Sequence, residues 1–145
     1  MKVQFLKSIM VLTLVLALPF GLAAQEKTKT DAKKAEMKKV FVSLGTDQGL
    51  RTGMALNFSR MSLKNGSPTT LWLNAEGVKL ADANAADSEQ RMMLKEFISK
   101  GGKVYVCPVS SAKLGVTKLI DGAEFSKFEI VYEQIKDPNV IYLSW

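Results

Sequence analysis

The chain has 145 residues, one cysteine, no histidine and a formal net charge of +6. Because histidine is absent, Ser-His and Cys-His catalytic pairs and histidine metal sites are excluded. The basic excess lies near the N-terminus, since from Val40 onward 12 basic residues face 11 acidic ones. The sequence therefore does not predict a nucleic-acid surface, which needs basic residues clustered on one face.

The first 24 residues have the pattern of a cleaved signal peptide. Met1–Lys7 carries two lysines, Ser8–Phe20 is an apolar run, and Gly21–Ala24 supplies small residues for cleavage. The alternative, an uncleaved membrane anchor, is disfavoured because the run is shorter than the ~20 apolar residues of a spanning helix. We expect a periplasmic or secreted protein with no stable membrane insertion after cleavage.

Residues 25–38 are polar and rich in lysine. This composition cannot bury enough apolar surface to fold alone, so we interpret the stretch as a flexible leader. The rest of the chain, residues 39–145, has the length of a single compact domain with one core.

The domain is predicted to begin with a strand, a helix and a second strand. Lys39–Leu44 (KVFVSL) is apolar and β-branched, as in a buried strand, and is closed by Gly45. Arg51–Lys64 has apolar residues at helical spacing and is ended by Asn65-Gly66. Thr69–Leu73 (TTLWL) is the second predicted strand.

A loop with at most one helical turn is predicted over Asn74–Asn84. Asp87 and Gln90 then resemble a capping box, with Asp87 as the N-cap of the next helix. That helix is predicted to end at Gly101-Gly102 and to bury four apolar residues. They are Met93, Leu94, Phe97 and Ile98.

A third strand, Lys103–Val106, a last helix and a last strand complete the pattern. Ser126 is predicted to cap the helix, which extends to about Ile135, and the final strand is Asn139–Trp145. The residues of this helix predicted to face inward are Phe128, Val131, Tyr132 and Ile135.

Strands that alternate with helices predict an α/β fold, a small doubly wound, mainly parallel sheet flanked by helices on both faces. In such sheets ligands bind beyond the carboxyl ends of the strands. Three loops are expected there, Gly45–Gly49, Asn74–Val78 and Cys107–Gly115. Gly45 and Asn74, which open two of these loops, are therefore candidate binding residues.

Cys107 ends its predicted strand at that edge. A lone cysteine in an exported protein indicates intermolecular pairing or a free reactive thiol. The residues after it can start a helix, with Ser110, Ser111 and Lys113 close to the thiol. Helix N-terminal amides and a nearby cation favour the thiolate. The alternative is a buried cysteine that only fills space, which is common for this residue type.

The remaining polar and sulfur-containing residues suggest no further chemistry. Asp47, Glu76 and Asp121 form no recognisable pair and are interpreted as turn or cap residues. The Gly45–Gly49 loop has amides for an anion but lacks a nucleotide-binding motif. No metal or cofactor is expected. We interpret the following as packing residues: Met54, Met61, Met92, Met93, Trp72 and Trp145.

Four stretches together resemble the DsrE/DsrF-like family. They are VSLGTDQGLRTGMALNFSRMSLKNG, TLWLNAEGVKLA, LKEFISKGGKVYVCPVSSAKLGV and LIDGAEF. The resemblance covers nearly all of Lys39–Trp145 and implies a parallel sheet flanked by helices. It also implies a sulfur-carrier or sulfurtransferase-like role in which Cys107 accepts sulfane sulfur as a persulfide.

The implied partners are sulfur donor and acceptor proteins or small thiols, and the implied assembly is a homo-oligomer, a trimer or hexamer. A second hypothesis comes from a different class of protein. It is a non-catalytic oligomeric module that binds a small anion or a partner at the loop edge, with Cys107 partly buried. A thiol in an open pocket among Ser110, Ser111 and Lys113 would favour sulfur transfer, and a thiol sealed beneath the loops would favour the binding module.

Overall fold

The computed structural model describes residues 38–145. The predicted signal peptide, and all of the predicted leader except Lys38, lie outside this range. The elements in chain order are β1 Lys39–Leu44, α1 Gly49–Lys64, β2 Thr69–Leu73, a 3-10 helix Ala75–Ala81, α2 Glu89–Ser99, β3 Lys103–Val106, α3 Pro108–Leu114, β4 Ala123–Phe125, α4 Phe128–Lys136 and β5 Val140–Ser144.

The five strands form one parallel sheet in the order β4-β3-β2-β1-β5. The chain adds strands in one direction from β1 to β4 and then crosses the sheet through α4 to place β5 beside β1. Because parallel crossovers are right-handed, this reversal puts α4 on the opposite face from the earlier helices. The predicted doubly wound α/β fold is confirmed.

One face of the sheet carries the main core. Alternate residues of β1, Val40, Val42 and Leu44, point to this face and are buried. They pack with apolar side chains of β2, β3, the 3-10 helix and α2. These are Leu71, Leu73, Val78, Leu80, Leu94, Phe97, Val104 and Val106.

The other face is aromatic and less completely covered. Phe41 is fully buried there, with its ring centroid 5.9 Å from that of Tyr142 and 6.4 Å from that of Trp72. α4 packs on this face and buries only Val131. A nine-residue helix is too short to cover the face, which leaves apolar side chains of α4 in contact with solvent.

The predicted inward set on α4 is therefore wrong for three of its four residues. Phe128, Tyr132 and Ile135 are exposed by 74%, 47% and 50%. Ser126 does not cap the helix either. Its hydroxyl donates to the carbonyl of Val106 at 3.2 Å, and the helix begins two residues later.

The N-cap of α2 is Ser88 and not Asp87. The Ser88 hydroxyl accepts the N–H of Arg91 at 3.2 Å. Asp87 instead forms an ion pair with Lys95 at 2.6 Å. The helix starts one residue later than predicted because serine, with its short hydroxyl, satisfies the first-turn amide.

Other boundaries also differ from the prediction. α1 begins two residues earlier, at Gly49, and the loop predicted after β2 contains a seven-residue 3-10 helix. The sequence pattern missed the short edge strand β4. The methionines predicted to pack are mostly exposed, namely Met54, Met61 and Met92. In the part of the chain that the structure describes, no helix combines the length and apolar character of a membrane span.

Candidate functional site

Cys107 lies between β3 and α3 at the carboxyl edge of the sheet. Its N–H donates to the carbonyl of Leu73 at 2.8 Å, and its own carbonyl accepts the N–H of Ser111 at 3.0 Å. It is the N-cap residue of α3, whose first residue is Pro108. Proline suits this position because it has a fixed φ and needs no N–H partner. The thiol is free and partly exposed.

The environment of Cys107 favours the thiolate. Partial burial raises the pKa of the thiol, but hydrogen bonding from the Ser110 hydroxyl and the Ser110 and Val109 amides outweighs it. The net effect lowers the pKa below its ordinary value. This is the direction expected at a helix N-terminus, where amides point at the capping residue. Lys113 is not among the groups that lower the pKa.

Ser110 connects Cys107 to the loop after β2. Its hydroxyl oxygen accepts the backbone N–H of Ala75 at 3.0 Å. Ala75 has a φ of 41°, in the left-handed region that non-glycine residues rarely adopt. The Ala75 amide, at the start of the 3-10 helix, therefore fixes the position of the hydroxyl oxygen. The hydroxyl proton remains available to donate to the thiolate.

Gly45 and Asn74 lie next to each other at the same edge of the sheet, where they follow β1 and β2 respectively. The Asn74 side chain donates through Nδ2 to the Ser43 hydroxyl at 2.9 Å, and the backbone N–H of Asn74 donates to the carbonyl of Leu44 at 3.0 Å. A Cβ on Gly45 would lie 3.0 Å from Asn74 Oδ1. The N–H of Gly45 donates to the carbonyl of Trp145. These contacts join the ends of β1, β2 and β5.

Gly77 allows the 3-10 helix to pack against the end of β1. A Cβ at this position would lie 2.3 Å from the carbonyl oxygen of Leu44, which no real side chain tolerates. Gly77, the glycine of the LNAEGV stretch, is therefore required because the backbone of the 3-10 helix approaches the backbone of β1 closely at Leu44. It fixes the 3-10 helix, and with it the Ala75 amide that contacts Ser110.

Ser111 and Lys113 are not among the groups that hydrogen-bond the Cys107 thiol. Ser111 is buried, and its hydroxyl has no hydrogen-bond partner among residues 38–145. Lys113 is exposed on α3. Asp47 forms an ion pair with Lys79 at 2.9 Å, and hydrogen bonding from that lysine lowers the pKa of the carboxyl.

An apolar pocket of about 240 Å³ opens beside Cys107 on the aromatic face. Cys107 contributes to its wall, and no charged residue of the described part of the chain, residues 38–145, lines it. The other lining residues are Trp72, Pro108, Val109, Ser126, Phe128, Val131, Tyr132 and Ile135. The predicted binding residues do not line this pocket; they are Gly45, Asn74, Ser110, Ser111 and Lys113.

Sequence reasoning missed the pocket residues on α4 because it assigned them to the core. Phe128, Tyr132 and Ile135 recur at helical spacing. We interpreted this pattern as a face buried in the core, whereas these side chains line the pocket.

Fold and site together define a small parallel α/β protein with a single thiolate-favouring cysteine at a strand end. A family model described as the DsrE/DsrF-like family matches residues 37–142. The chain belongs to this family, which confirms the resemblance seen in the sequence. The family implies a fold of the sulfur-relay type.

A solved structure supports the same fold. The crystal structure of the YchN protein from E. coli is similar with a TM-score of 0.66 and 17% sequence identity. The similarity covers 75% of this chain and 100% of that one. No curated protein matches the sequence.

Proposed function

We propose that this protein is a sulfur carrier that holds sulfane sulfur as a persulfide on Cys107 and passes it to a partner thiol. The observation that carries the proposal is the setting of Cys107. The thiol is partly exposed, lies at the wall of an open pocket, and has a lowered pKa. A sealed thiol would have favoured the non-catalytic binding module.

The transfer needs one thiolate and no metal or second cysteine. The Cys107 thiolate attacks the outer sulfur of a donor persulfide, R–S–SH. The donor S–S bond breaks and its electron pair leaves with R–S, which takes the proton and becomes the reduced thiol R–SH. Cys107 becomes Cys–S–S⁻. Attack by an acceptor thiolate on the outer sulfur then returns Cys107 to the thiolate and oxidises the acceptor to a persulfide.

The family resemblance and the N-terminal sequence extend the proposal to assembly and location. We infer a homo-oligomer, because apolar side chains of α1 remain exposed in the single chain. We infer export, because residues 1–24 have the pattern of a signal peptide. N-terminal sequencing of protein from its native host should then find a chain that begins near Ala24 or Gln25.

Intact-mass analysis after polysulfide treatment tests the sulfur-carrier proposal. The native protein should gain the mass of one sulfur atom, a reductant should remove it, and Cys107→Ser should abolish the gain. Incubation of the persulfidated protein with a small thiol should return it to its original mass. If the folded protein gains no sulfur and Cys107 reacts only after denaturation, the carrier proposal is wrong.

A further inference from the structure

Among residues 38–145, no side chain that lines the pocket beside Cys107 carries a charge that could balance an anionic sulfur donor. The pocket wall combines aromatic and aliphatic side chains, and its serine, Ser126, already donates its hydroxyl to the carbonyl of Val106. Lys136, on the helix that lines the pocket, is not a lining residue; it packs on the ring of Tyr132 and its charge is paired with Glu133. Its ammonium lies 5.0 Å from the ring centroid of Tyr132 and 3.7 Å from the Glu133 carboxylate. An anion in this pocket would be desolvated without a counter-charge, which is costly.

The size of the pocket also limits what it binds. Pockets for drug-sized ligands are typically about 300–1,000 Å³, so about 240 Å³ suits a smaller group such as a phenyl ring or a short alkyl chain. Because Cys107 forms part of the wall, a molecule that reacts with the thiol places its substituent in the pocket. The organic substituent next to the reacting S–S bond is therefore the part that the pocket selects.

We propose that the pocket formed by Trp72, Val109 and α4 selects sulfur donors whose sulfur carries an apolar aliphatic or aromatic group, in preference to inorganic or anionic donors. The inference rests on the proposed function, because it names the donor class for Cys107. The donor is an apolar organic persulfide, R–S–SH, reduced to the thiol R–SH as its outer sulfur moves to Cys107. The apolar group binds in the pocket and the S–S bond lies at the thiolate.

Alkyl methanethiosulfonates, CH₃SO₂–S–R, test the selectivity without requiring a stable persulfide. The Cys107 thiolate attacks the sulfur that bears R, the S–S bond breaks, and the electron pair leaves with methanesulfinate. Rates are measured for R from methyl to pentyl and divided by those of free N-acetylcysteine. The ratio should rise with each methylene by up to about fourfold, equivalent to about 0.8 kcal/mol of apolar burial. The rate ratio of the anionic 2-sulfonatoethyl reagent should be lower than that of the ethyl reagent.

Two variants on α3 locate the effect. Val109→Trp adds bulk at the pocket wall. The rate ratio should then no longer rise with the length of the alkyl chain, while the methyl reagent still reacts. Leu114→Trp adds the same bulk at an exposed position of the same helix outside the pocket and should leave the series steep. Ile135→Ala enlarges the opposite wall and should shift the optimum to a longer chain. Circular dichroism checks that each variant is folded.

A flat series in the wild-type protein would overturn the inference. A series that is flat at high protein concentration and steep on dilution would also overturn it, because a second copy of the chain would then occupy the pocket. The proposed function fails separately. If polysulfide persulfidates Cys107 but the alkyl series is flat, the carrier role stands without this selectivity. If the series is steep but no persulfide forms, the carrier role is wrong while the apolar site remains.

Discussion

The backbone amide of Ala75 donates to the hydroxyl of Ser110 at 3.0 Å and so joins the end of β2 to the helix that follows Cys107. The same hydroxyl lowers the pKa of the Cys107 thiol. The geometry of the loop after β2 is thereby coupled to the reactivity of a residue at the end of β3. Two segments 35 residues apart in sequence act together at one edge of the sheet.

Ser110→Ala should make Cys107 less reactive at mildly acidic pH. Removing the hydroxyl removes a group that favours the thiolate, so the pKa of the thiol rises and the midpoint of the pH–rate profile for iodoacetamide moves to higher pH. The plateau rate at alkaline pH should change little, because the thiolate itself remains accessible.

Ser99→Ala is a matched control for that profile. Ser99 lies at the exposed end of α2, where its hydroxyl donates to the carbonyl of Glu96. Its removal should leave the midpoint unchanged. Equal midpoints for Ser110→Ala and the wild-type protein would show that the hydroxyl does not tune Cys107.

The sequence pattern was sufficient for the sheet but not for the site. β1, β2 and β3 are short β-branched runs bounded by glycine or turn residues, and buried parallel strands are distinctive in this way. β4 has only three residues at the sheet edge, with two exposed, so no apolar pattern marks it. The position of Cys107 at the strand end followed directly from the end of β3.

The pocket could not be predicted because it depends on how much of the sheet α4 covers. Phe128, Tyr132 and Ile135 have the spacing of a buried stripe, and periodicity alone does not distinguish core residues from pocket lining. Likewise, Ser110 and Ser111 are neighbours in sequence, but helix geometry turns one hydroxyl to the Ala75 amide and buries the other. Only the packing separates their roles.

Gly77→Ala should destabilise the protein. The new Cβ would lie 2.3 Å from the carbonyl oxygen of Leu44, so backbone must shift, and overpacking of this kind typically costs about 1–3 kcal/mol. Urea unfolding followed by circular dichroism measures the loss. The shift should also displace the Ala75 amide and slow Cys107 alkylation at mildly acidic pH.

Gly53→Ala is the control, and we expect it to raise the free energy of unfolding where Gly77→Ala lowers it. Gly53 lies inside α1 and a Cβ there meets no atom within 4 Å. Alanine should therefore stabilise the helix by about 0.5–1 kcal/mol. If Gly77→Ala were as harmless as Gly53→Ala, the close contact with β1 would not be a constraint in solution.

The lowered pKa of Cys107 predicts that stability rises with pH until the pH exceeds the ordinary pKa of a thiol. A group whose pKa is lower in the folded state binds fewer protons there than in the unfolded chain, so stability rises with pH between the two values. The contribution is fully present above the unfolded value of about 8.5 and is lost as pH falls through the folded value. Thermal unfolding should show this rise, and Cys107→Ser should lack it. If the unfolding temperatures of the two proteins change with pH in the same way, the pKa of Cys107 is not lowered.

The last prediction concerns the exposed apolar stripe on α1, which consists of Leu50, Met54, Phe58 and Met61. These residues recur at helical spacing on the side of α1 away from the core, and the Phe58 ring extends the patch to Trp145, with ring centroids 5.7 Å apart. Exposed patches of this kind mark protein–protein contacts. We therefore expect the stripe to be buried in the proposed homo-oligomer.

Met54→Glu would place an unpaired charge in that interface. Such burial costs about 3 kcal/mol or more, which raises the dissociation constant by roughly a hundredfold or more. Sedimentation velocity at micromolar concentration should show the trimer or hexamer of the wild-type protein converting to a monomer. Met92→Glu is the matched control, because Met92 is 58% exposed against 59% for Met54 but lies on α2 outside the stripe. If both variants sediment like the wild-type protein, or if the wild-type protein is itself a monomer, α1 does not form the subunit contact.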